Sequence, residues 1–144
     1  MQRVRDILDQ KGRQIYGIQG DATVYRAITV MAEKEVGALL VMNDSRPEGI
    51  ISERDYTRNV ILKDRSSRET RVDEIMTSDL VTVTLDEPVE DCVALMKRHH
   101  IRHLPVMEDE HVVGVLSLRD LFSAIIDEQA HTIEHLEHYV RGEV

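Results

Sequence analysis

Hydrophobic residues recur along this chain in one order, and the order occurs twice. Val24, Ala27, Ile28 and Met31 stand at i, i+3, i+4 and i+7, and Val89, Cys92, Val93 and Met96 repeat that spacing. Such spacing predicts two amphipathic helices, each with one buried stripe. Asp21 or Thr23 is placed to cap the first; Asp86, followed by Pro88 in the first turn, starts the second. Beyond each helix comes a short apolar run (38–42, 103–107), a polar turn (43–48, 108–111) and a second apolar run (49–51, 112–116). Two apolar runs joined by a polar turn predict a hairpin. The segments starting at Ser52 and Ser117 read as helices, and short strands at 16–19 and 80–84 open each copy. Each copy is thus β-α-β-β-α.

The likeness extends to residue identity. Shifting the chain by 65 positions lays 21–61 on 86–126 without a gap, with Asp21/Asp86, Met31/Met96, Val41/Val106, Gly49/Gly114, Ser52/Ser117, Arg54/Arg119 and Asp55/Asp120 among the identical pairs. A shorter echo, Val4-Arg5-Asp6-Ile7-Leu8 and Val72-Asp73-Glu74-Ile75-Met76, precedes each copy at a shift of 68, so the first lead-in is three residues longer. One copy of about 50–60 residues buries little core, whereas two packed by pseudo-twofold symmetry bury a sizeable one. The expected organisation is an α/β fold with a first repeat and its lead-in helix at 1–62, a linker at 63–71, a second repeat at 72–126 and a C-terminal helical tail at 127–144. The linker assignment rests on five charged residues before Thr70 and no apolar one.

Composition narrows the function classes. Eighteen basic and 27 acidic residues give a formal charge of −9, which opposes general binding of phosphate backbones. Aromatic residues are 3% of the chain, with no Trp, too few for a base-stacking platform. A single cysteine, Cys92, excludes an internal disulfide and a Cys-based zinc knuckle; it sits on the apolar stripe as a small core residue. No apolar run approaches the roughly 18 residues of a membrane span. Nor does an apolar h-region follow Met1-Gln2-Arg3-Val4-Arg5-Asp6, so the expected setting is cytoplasmic.

The most specific motif is Gly, two apolar residues, Ser, two residues of any type, then Asp. It occurs as Gly49-Ile50-Ile51-Ser52-Glu53-Arg54-Asp55 and again as Gly114-Val115-Leu116-Ser117-Leu118-Arg119-Asp120. Ser followed three residues later by an acid is also close to a capping box, a role that needs no ligand and coexists with one. With Ile101-Arg102-His103-Leu104-Pro105-Val106, these motifs resemble a pair of CBS domains (named for cystathionine β-synthase), together called a Bateman module. The likeness covers about 120 residues, and the overall shape, with a charged C-terminal helical tail, is similar to stand-alone bacterial CBS pairs. It implies two clefts between the halves and adenosine-containing ligands: AMP, ADP, ATP, sometimes NAD(H) or S-adenosylmethionine. By position it implies that Asp55 and Asp120 take ribose hydroxyls and that Ser52 and Ser117 support ribose or phosphate. Gly37-Ala38 and Arg102-His103 would meet phosphate or base, while Tyr16, Val81 and Thr77 would border the ligand.

The two copies differ where charge matters. Arg102-His103 is a cationic pair, and Gly37-Ala38 stands in its place in the first copy. Phosphate binding is therefore expected to depend on Arg102, assisted by Arg54 or Arg119. The expected function is a non-catalytic sensor that binds an adenosine nucleotide and signals to a separate target protein, with no required cofactor and no nucleic-acid or membrane partner. No P-loop or dinucleotide fingerprint is present.

The tail raises two further possibilities. Ile126, Ile133 and Val140 recur every seven residues, with Leu136 three after Ile133, the spacing of a helix that packs on a partner helix. A homodimer is expected; folding back on its own module is the alternative. On the opposite face, His131, His135 and His138 stand at i, i+4 and i+7. They are either a solvated polar face or the ligands of a metal-responsive dimer.

Overall fold

The computed structural model describes residues 2–142. In chain order it contains α1 (Val4–Lys11), β1 (Gly17–Gln19), α2 (Val24–Lys34), β2 (Ala38–Asn43), β3 (Arg46–Ser52), α3 (Glu53–Tyr56), α4 (Val72–Ile75), α5 (Val89–His99), β4 (His103–Glu108), β5 (His111–Ser117) and α6 (Leu118–Val140). The periodic apolar stripes become α2 and α5, with Val24, Ala27 and Met31 buried on one and Val89, Cys92 and Met96 on the other. Thr23 is the cap of α2, its hydroxyl accepting from Arg26 N at 3.1 Å. Asp86 does not cap α5. The helix starts after Pro88 with no side-chain cap, and the Asp86 carboxylate is taken instead by Arg5 Nη2 at 2.8 Å.

Both hairpins form in the same register. Ala38 lies opposite Ser52 and His103 opposite Ser117, and a bulge interrupts each ladder at equivalent places, between Val41 and Met42 and between Val106 and Met107. The first turn is shorter than its polar composition suggests, because Arg46, Pro47 and Glu48 already belong to β3. Strand β1 adds in parallel to β2 and completes a three-stranded sheet. The matching strand expected at 80–84 shrinks to one parallel bridge between Val83 and Val106, with Val83 N donating to Pro105 O and Met107 N to Val83 O. Leu80 and Val81 leave the sheet for the wall of a cleft.

The helix after Ser117 continues to Val140, but the one after Ser52 does not run on as an α-helix. Residues Thr57–Ile61 form a π-turn, closed by Leu62 N on Thr57 O at 3.1 Å. Val60 is buried there while Ile61 and Leu62 face outward. Segment 63–71 lies against the start of α2, whose otherwise unpaired Val24 and Tyr25 N–H groups donate to Thr70 O and Ser67 O.

The two cores exchange their lead-in helices. Val4, Ile7 and Leu8 of α1 pack into the core built from α5, β4, β5 and the start of α6. Val72 and Ile75 of α4 pack into the core of α2, β2 and β3. The motif glycines permit this. A Cβ on Gly114 would stand 2.8 Å from Leu8 Cδ1, and one on Gly49 would stand 2.7 Å from Thr77 O. Gly49 also lets Thr77 and Ile50 exchange two backbone hydrogen bonds of 2.9 Å. Among the described residues, no helix is long and apolar enough to cross a membrane.

Candidate functional site

Each hairpin ends where its Ser begins a helix. Ser52 N donates to Asp55 Oδ2 at 2.9 Å, and Asp55 N donates back to Ser52 Oγ at 3.2 Å. Ser117 and Asp120 make the same reciprocal pair at 2.8 and 3.1 Å. Both motifs are therefore capping boxes, and the cap holds each aspartate at the open end of its hairpin. The next N–H of each turn ties the motif to the neighbouring strand: Glu53 N donates to Gly37 O at 3.1 Å, and Leu118 N to Arg102 O at 2.8 Å.

Two clefts open there. The first, of about 310 Å³, contains Gly37, Ser52, Arg54, Asp55, Thr77, Val81, Arg102 and His103. The second, of about 490 Å³, contains Tyr16, Gly37, Ala38, His103, Ser117, Arg119 and Asp120. Both lie within the ~300–1,000 Å³ of small-molecule sites. All thirteen residues singled out in the sequence thus border one cleft or the other, and Gly37 and His103 border both. Arg54 shares a cleft with Arg102; Arg119 stands in the other.

The first cleft has an apolar wall of Ile50, Leu80, Val81 and Ile101, acidic residues at Glu53, Asp55 and Asp79, and guanidinium groups from both repeats. Arg54 Nη1 donates to His100 O at 3.2 Å, which steadies it across the repeat boundary. Burial pushes the Asp55 carboxyl above its ordinary range, although hydrogen bonds from Ser52 and Thr77 and the charge of Arg54 oppose this. Among the described residues Asp55 has no ion-pair partner. Burial pushes His103 down, with Lys11 and Arg102 adding to that and Asp120 opposing it. Its imidazole is therefore neutral at neutral pH, and the expected cationic pair reduces to one cation, Arg102, beside a neutral ring.

The second cleft is electrostatically different. Lys11 Nζ, at the end of α1, donates to Asp120 Oδ2 at 2.6 Å and to Val115 O at 2.8 Å. Burial raises Asp120, but the Lys11 ammonium and the Ser117 backbone N–H outweigh it and hold the carboxyl below its ordinary value. Sequence reading missed Lys11, as it missed Asp79 and His100 in the first cleft. The longer first lead-in was the visible signal, since α1 has eight residues and α4 only four.

His131, His135 and His138 lie along α6, where His138 approaches Glu134 at 3.8 Å, and no three His, Cys, Asp or Glu side chains among the described residues converge as ligands. Nothing in the geometry favours the metal-responsive alternative. Burial raises the Cys92 thiol to about 12, so it is protonated inside the second core.

Comparison with known proteins agrees with this architecture. The CBS domain family model matches residues 4–61 and 72–127. The CBS domain-containing protein CBSX3, mitochondrial, of Arabidopsis thaliana is 36% identical over 96% of this chain and 72% of its own length. A solved structure of a protein with CBS domains from Burkholderia ambifaria superposes with a TM-score of 0.86 at 44% identity, covering 89% of this chain and 96% of that one. A CBS domain protein from Pyrobaculum aerophilum, solved in complex with AMP, gives 0.77 at 31% identity over 90% and 99%. With two repeats, two motif-bearing clefts and these relatives, the chain belongs to the CBS domain family, as a tandem pair.

Proposed function

We propose that this chain is a non-catalytic regulatory module that binds an adenosine nucleotide in the first cleft. The observation that carries the reading is the convergence of Asp55, Arg54 and Arg102 from two repeats around an apolar wall. An ionised carboxylate accepts both hydroxyls of a vicinal diol. Guanidinium groups suit a phosphate, and Ile50, Leu80, Val81 and Ile101 suit the faces of a purine. The AMP complex of the Pyrobaculum relative supports the ligand class. Binding from both halves at once gives the ligand a differential affinity for two arrangements of the repeats, the requirement for signalling occupancy to a target protein. A second copy of the chain, packed along the apolar stripe of α6, completes the proposed assembly.

Thermal unfolding with AMP, ADP, ATP, NADH and S-adenosylmethionine tests the ligand. A ligand at 100 times its dissociation constant adds about 2.7 kcal/mol. The expected outcome is a rise in Tm with at least one of them. Asp55→Ala should abolish it, and Arg102→Ala should weaken binding about 10- to 100-fold, the scale of a charge-assisted hydrogen bond. No shift with any of the five at millimolar concentration would overturn the reading.

A further inference from the structure

The two clefts share their motif but not their occupancy. In the second, the ammonium of Lys11 already sits 2.6 Å from the carboxylate that the motif presents, and its other hydrogen bond to Val115 O anchors it on the cleft wall. Asp120 is the more sheltered partner, with side-chain exposures of 35% for Lys11 and 22% for Asp120. A lysine placed this way withdraws two groups at once. Asp120 Oδ2 and two of the three ammonium N–H groups of Lys11 are engaged within the protein, so a diol must compete with Lys11 for Asp120 and a phosphate must compete with Asp120 for Lys11. The first cleft has no such ammonium: at the lead-in shift of 68 the position of Lys11 is taken by Asp79, a carboxylate on the lining of that cleft.

We propose that Lys11 is a built-in occupant of the second cleft, so that each chain takes one nucleotide, in the first cleft, and a second site appears only when Lys11 is removed or displaced. Lys11 is in this sense an occupancy-determining residue. The inference rests on the nucleotide reading of the first cleft for its count of one. Its claim about the second cleft stands separately.

Titration calorimetry with AMP, counted per chain, tests it. Wild-type protein should bind one AMP and Lys11→Met, which keeps the aliphatic stem, should bind two. Asp55→Ala should bind none, and Asp55→Ala combined with Lys11→Met should bind one. Two AMP per wild-type chain would overturn the inference and leave the nucleotide reading intact, as would a count of one for Lys11→Met. If Lys11 were instead a phosphate ligand, the wild type would bind two and Lys11→Met one. No binding by the wild type with one AMP bound by Lys11→Met would refute the first-cleft reading and uphold the Lys11 block. No binding by either protein would refute both. The wild-type count needs no variant, so a misfolded variant does not protect the inference.

Discussion

Asp55 and Asp120 occupy one position of a repeated motif and carry opposite electrostatic histories. Asp55 is half-buried without a cation in ion-pair contact, and burial raises its carboxyl. A raised value means that the folded chain holds a proton that the unfolded chain has released. Stability contributed by this group therefore falls as pH rises from the ordinary carboxylate range through the raised value, and at neutral pH the ionised group opposes folding. Asp55→Asn keeps an oxygen to accept from Ser52 N and removes the charge. It should stabilise the ligand-free protein, read as a higher midpoint in urea at pH 7, while nucleotide binding is lost. An unchanged or lowered midpoint would mean that the charge is not costly. Asp120 runs the other way: its depressed value adds stability above the ordinary carboxylate range, lost as pH falls through the depressed value. The motif was legible in the sequence because it recurs at a fixed offset. The difference between the copies was not, because Lys11 at the end of a helix reads as a solvated charge until α1 is placed across β5.

Periodicity reported α2 and α5 well, because a stripe at i, i+3, i+4 and i+7 describes a surface with one dry side. It failed at 80–84, where one bridge is made and Leu80 and Val81 line the cleft, and at Asp86, whose partner Arg5 is distant in sequence. The same pattern reading leaves the end of α6 without an intramolecular partner. Ile126, Ile133, Leu136 and Val140 are 62, 58, 56 and 83% exposed, so the tail does not fold back on its own module. A stripe of that spacing is self-complementary when two copies meet about a twofold axis. Light scattering should give twice the chain mass for the wild type. Ile133→Glu with Leu136→Glu should give the mass of a single chain, with the Tm of the repeats little changed. A wild-type monomer would remove the second copy from the proposed assembly.

Across the whole molecule, the sequence repeat and the packing unit do not coincide. Hydrophobic spacing says that a face is buried and not against which partner, so nothing in the chain reveals that α1 serves the second core and α4 the first. Leu8 is fully buried against Gly114. Leu8→Ala should cost about 3 kcal/mol, the scale of a large-to-small change in a core. By hydrogen exchange the loss of protection should fall on β4 and β5, although the substitution lies in the first repeat's lead-in. Loss confined to β2 and β3 would contradict the exchanged packing. The exchange also bears on what the peptide between the halves is for. Each half holds a piece of the other, so severing segment 63–71 would leave two polypeptides still clasped together, and the integrity of the pair resides in its interlocked helices rather than in covalent continuity.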